Sequence, residues 1–113
     1  MVIKILSGEE KMNKTIYGSV PVKALRNNFS DIINQVYKLL PLKEESNNSE
    51  LDFHFSTLLF RIRGMSTLFP NEPRWITVLA LIESARHESD FRLYRKAVLD
   101  SCSIIKSLGE YHC

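Results

Sequence analysis

Histidine and cysteine are where metal binding or nucleophilic chemistry would begin in this 113-residue chain, which has three of the first and two of the second. His54 falls near the start of a predicted helix and His87 in a junction between two helices, which suits surface or capping roles. His112 and Cys113 close the chain, and two ligands on a tail fall short of the four that a structural zinc site needs. Cys102 and Cys113 do not make a disulfide framework, because bridging them would staple only the frayed end. Both read as thiols in a reducing cytoplasm. The acidic pairs Glu9-Glu10 and Glu44-Glu45 fall in predicted loops, where they are solvated charges rather than a general acid and base. The chain lacks GxGxxG, a phosphate loop, GxSxG and HExxH. The expectation is a non-enzymatic protein without catalytic residues, metal or cofactor.

Two surface patterns are more informative. Rotating by about 100° per residue on the last predicted helix gathers Arg92, Arg95, Lys96 and Lys106 on one broad face beside Leu99 and Ser103, with Asp100 the acid near them. Such a face could contact an acidic protein surface or nucleic-acid phosphates, though four basic residues on an outer face are common and a solvated exterior is the ordinary reading. The net charge of +2, from 15 basic and 13 acidic residues, is too balanced for a protein that coats DNA without specificity. On the second predicted helix, Phe53 and Phe60 fall opposite the main apolar stripe with Gly64 one turn further on. Arg61 and Arg63 point to its two flanks. Trp75, directly after Pro73-Arg74, reads as a core anchor, with ligand stacking a remote second.

The elements that would position these residues are helical. With 44% hydrophobic and 25% charged residues and only four Gly and four Pro, the composition suits one folded domain and disfavours a turn-rich β sandwich. Val22, Leu25, Phe29, Ile32, Val36 and Leu39 follow 3-4-3-4-3 spacing, the stripe of a first helix with Pro21 in its first turn and Pro41 as its stop. A second helix opens at Ser49 with Asp52 as a weak capping box. It carries Phe55, Leu58 or Leu59, Ile62, Met65 and Phe69, and ends at Pro70. A third runs from Asn71 and Pro73 to about Arg86. Ser89 or Asp90 caps a fourth, with Phe91, Tyr94, Val98, Ile105 and Leu108 on its stripe and Gly109 at its end. The short 86–90 junction also allows the third and fourth to run together.

The predicted architecture is therefore an all-α antiparallel bundle of about four helices over residues 21–110. Residues 1–20 precede it as an arm, irregular in part, that is flexible or packs on a partner. In that arm Val2–Leu6 has the pattern of a short strand without a convincing partner, is too short for a secretory leader, and is dispensable if Met12 is the start. The patch from Lys43 to Ser49 reads as a solvated linker, and no apolar run reaches the roughly 20 residues of a membrane span. The third helix is apolar over most of its circumference, which predicts that it is central and buried nearly all round. A bundle of this size then has no surface left to cover Phe53 and Phe60, so homodimerisation is expected unless the N-terminal arm folds over them.

The run Ile76-Thr77-Val78-Leu79-Ala80-Leu81-Ile82-Glu83-Ser84-Ala85, then Glu88-Ser89-Asp90 and Tyr94-Arg95-Lys96-Ala97-Val98-Leu99, resembles the small enterobacterial connector and biofilm regulators of the YmgB/AriR type. The resemblance covers residues of about 55–108; the extra first helix and Ala85, where an acidic residue is more usual, depart from it. It implies a homodimeric helical regulator that acts through contacts with a protein partner, with room for DNA affinity, and it transfers no catalytic residue. The cytoplasmic location is expected instead from the short apolar start and the free thiols. A bacteriocin immunity protein, also a small four-helix bundle, is the alternative.

Overall fold

The computed structural model describes residues 12–15, 18–45 and 48–112. The candidate strand at Val2–Leu6, the pair Glu9-Glu10, Ser46-Asn47 of the linker patch and Cys113 lie outside them. Two short strands, β1 (Met12–Thr15) and β2 (Gly18–Pro21), form an antiparallel hairpin with Met12 opposite Pro21 and Thr15 opposite Gly18. Part of the arm is thus paired rather than irregular. The helices follow as α1 (Val22–Tyr37), α2 (Leu39–Glu44), α3 (Asn48–Leu68), α4 (Arg74–Arg86) and α5 (Phe91–His112). The protein is an all-α bundle of four long helices. Each packs on its neighbours in the cycle α1–α3–α4–α5, and α2 lies across one end against α3 and α5.

The heptad-like stripes become the core because each is the one continuous apolar face its helix has. All six residues of the first stripe are buried, Leu39 among them. Pro41 does not stop this helix. The break comes earlier, at Lys38, and Pro41 sits at the third position of α2. There its missing N–H has no intrahelical acceptor to lose. On α3, Phe55, Leu58, Leu59, Ile62 and Met65 are all buried, with Phe69 just past its end. The helix begins one residue before Ser49, and Asp52 is engaged by Arg86 rather than serving a cap. Asp90 does cap α5: its Oδ1 accepts from the Arg92 and Leu93 amides at 2.8 and 3.4 Å. That cap separates α4 from α5.

Three further expectations need correction. First, α4 is not buried all round. Trp75, Val78, Ile82 and Ala85 are buried, Leu79 and Leu81 are half-buried, and Ile76 is 65% exposed. The helix packs mainly against α3 and α5, so the side away from both faces water. Second, Gly109 does not end α5, which runs on to His112. The last turn is held by tertiary contacts: the His112 ring stacks on Phe69 with centroids 4.3 Å apart and on Phe29 with centroids 6.4 Å apart. Third, Phe91, placed on the stripe, is 37% exposed at the start of the helix.

Candidate interaction surface

The outer face of α3 is defined by what its flanks are doing. Arg61 turns toward α1, donating to Asn28 Oδ1 at 2.6 Å and Asp31 Oδ2 at 3.1 Å. Arg63 turns the other way, 3.9 Å from Glu83 of α4. Arg86 reaches back from α4 to Asp52 at 2.6 Å and to Ser56 Oγ at 3.1 Å. The two arginines point to opposite flanks, as their positions on the helix require. His54 Nε2 lies 2.8 Å from the Gln35 carbonyl, a further tie between α3 and α1.

Between those flanks runs an exposed, uncharged stripe of Phe53, Thr57, Phe60, Gly64 and Thr67. Phe53 is 73% and Phe60 76% exposed. The two threonine hydroxyls donate to the helix's own carbonyls, Thr57 to Phe53 at 3.1 Å and Thr67 to Arg63 at 3.0 Å. Their hydroxyl protons are thereby turned inward. Beside Gly64 lies a hollow of about 480 Å³ between α1 and α3, lined in part by Phe60, Met65 and Leu68. Nothing lies within 4 Å of where a Gly64 Cβ would be. The sequence already places Phe53, Phe60 and Gly64 together. It is silent on Thr57, Thr67 and the hollow, although the 4-3-4 spacing from Phe53 to Gly64 carries the signal for Thr57.

The basic face of α5 is less unified. Arg92, Arg95, Lys96 and Lys106 are all exposed. Lys96 is paired to Asp100 at 2.7 Å, however, and Lys106 donates to Tyr37 Oη at 3.0 Å while lying 5.3 Å over that ring. The hydrogen bond to Tyr37 raises the Lys106 pKa. Arg92 and Arg95 carry no ion pair among the described residues. The face thus divides by partner rather than by position: among the described residues Lys96 and Lys106 are engaged, and Arg92 and Arg95 are not.

The remaining chemistry-bearing groups are dispersed. Burial pushes the Cys102 thiol up to about 11, which leaves it protonated and inert at neutral pH. His87 is exposed near Glu83 at 3.8 Å. Among the described residues no group of three or more His, Cys, Asp or Glu side chains is placed to hold a metal ion. No helix among them is long and apolar enough to cross a membrane.

The sequence missed one polar cluster, at the end of the bundle where the α3–α4 loop meets the last turn of α5. Glu72 accepts from Arg74 at 2.7 and 2.9 Å, His112 Nε2 lies 3.7 Å from Glu72, and Arg74 lies over the Tyr111 ring. Burial pulls the His112 pKa below its usual 6.5, more strongly than the Glu72 charge raises it. The Arg74 hydrogen bond draws Glu72 below 4.5. The folded state therefore disfavours a proton on His112 that the unfolded chain accepts below about 6.5. The stability this provides is present above that pH and is lost as pH falls through the lowered folded value. Glu72 adds a second loss below about 4.5. Urea midpoints measured from pH 7 to 5 should fall for the native chain, and His112→Gln should flatten that slope.

No family model, no curated protein and no solved structure matches this chain.

Proposed function

We propose that this chain is a small non-enzymatic interaction protein, a cytoplasmic regulator or adaptor that self-associates through the outer face of α3. One observation carries the reading: two phenylalanines about three-quarters exposed on an uncharged stripe of an otherwise well-packed bundle. An exposed aromatic pair is a cost in solution unless something covers it. Covering one ring contributes roughly 1.5–3 kcal/mol, so the four rings of a two-fold pair offer about 6–12 kcal/mol before association entropy is subtracted. That range supports a dimer in the micromolar regime when the rest of the stripe adds contact area.

Arg92 and Arg95, near the start of α5 and without an ion pair among the described residues, are then the groups left for a further protein partner of acidic character. Against nucleic acid stands the balanced net charge of +2, although among the described residues Lys96 alone of the four basic ones is ion-paired and Lys106 keeps its charge while donating to the Tyr37 hydroxyl. The resemblance to connector regulators of the YmgB/AriR type points the same way. Sedimentation equilibrium tests the reading: the expected species has twice the 13.1 kDa chain mass. Phe53→Ser with Phe60→Ser should shift it to the monomer mass with helicity unchanged. A native chain that stays monomeric at high micromolar concentration would overturn the self-association.

A further inference from the structure

An interface on a two-fold axis joins a patch to itself, so the patch must be its own complement. Few surface stripes meet that condition. On α3, Phe53, Thr57, Phe60 and Gly64 alternate large and small with 4-3-4 spacing, symmetric about the midpoint between Leu58 and Leu59. Read in the opposite direction, the order becomes Gly64, Phe60, Thr57, Phe53. Laid against the forward order, every large side chain falls opposite a small one. We propose that two copies pair antiparallel along α3 in this register, with Phe53 of one copy over Gly64 of the other and Phe60 over Thr57.

This rests on the self-association reading and adds the orientation and register to it. The hollow of about 480 Å³ beside Gly64 is the receptacle for the incoming Phe53 ring, and the absence of a side chain at Gly64 lets that ring approach the helix. Phe53 and Gly64 are eleven residues apart, about 16.5 Å along the helix, so both ends of the seam close at once. A parallel pairing would set ring on ring and gap on gap. The flanks agree with the antiparallel choice. Arg63 and Asp52 share the α4 side of α3, and a two-fold antiparallel pair brings like flanks together. Arg63 of one copy then lies within about 3 Å, along the axis, of the level of Asp52 of the other.

A size swap in the full-length chain tests the register by sedimentation velocity. Gly64→Phe has room in a single copy, so helicity and melting should be unimpaired, yet it fills the receptacle and should weaken dimerisation by about tenfold or more. Phe53→Ala should weaken it as well. Combining the two re-creates a large residue opposite a small one, so the double variant should associate more tightly than either single variant. Gly64→Leu repeats the test with a different shape should Gly64→Phe perturb the fold. Gly64→Phe and Gly64→Leu dimers as tight as the native one, or a double variant weaker than both single variants, would overturn the register while leaving self-association in place. A native chain that is monomeric would overturn both and leave the stripe to a different protein.

Discussion

Trp75→Ala is expected to lower stability by about 3–5 kcal/mol, read as a fall in the urea midpoint without a change in slope. The side chain is fully buried in the first turn of α4 and stacks on Phe29 of α1, with ring centroids 5.7 Å apart. It therefore links two helices across the bundle rather than two neighbours in the cycle. The large cavity left by its removal is lined from both, and neither can close it without breaking its other contacts. A control separates ring from polar handle. The indole Nε1 has no hydrogen-bond partner among the described residues. Trp75→Phe keeps most of the stacking and removes an unmade hydrogen bond, so it should cost far less than alanine, about 1.5 kcal/mol or below. Equal losses for the two variants would show that the ring is not what joins α1 to α4.

Tyr94→Phe is expected to cost about 1–2 kcal/mol, with a signature in alkaline solution. The buried hydroxyl donates to the Leu39 carbonyl at 2.6 Å, 55 residues away in sequence, and so ties α5 to the start of α2. Burial pushes the phenol up from 10 to about 12. The folded state thus resists deprotonation that the unfolded chain undergoes from about pH 10. The corresponding stability is present below 10 and is lost as pH rises toward 12. Denaturation midpoints of the native chain should fall across that interval, and Tyr94→Phe should lose less there because it has no phenol to titrate. The four tyrosines make a comparison of midpoints, rather than an absorbance titration, the suitable measurement.

The corrections share a cause. The sequence identifies the apolar face of each helix, but how much of that face is covered depends on how many neighbours the helix acquires. Leu79 lies on the apolar sector of α4 and is only half-buried, because α3 and α5 cover one side of the helix and the opposite side is exposed among the described residues. Pro41 and Gly109 carry ordinary stop signals, and the chain overrides both. Pro41 falls where no backbone N–H is needed, and Gly109 precedes a turn that Phe69 holds through His112.

The sequence by itself determined that the protein is helical, where its long helices run, which stripes enter the core and that Phe53 and Phe60 point away from it. Those properties follow from spacing along one helix, and spacing is local. Only the tertiary structure decided that α4 is half-solvated, that Lys96 and Lys106 are already engaged while Arg92 and Arg95 are not, and that a hollow opens beside Gly64. It also assembled Glu72, Arg74 and His112 at one end of the bundle. Each of these is set by residues distant in the chain that meet when helices cross, and no periodicity within a single helix encodes that meeting.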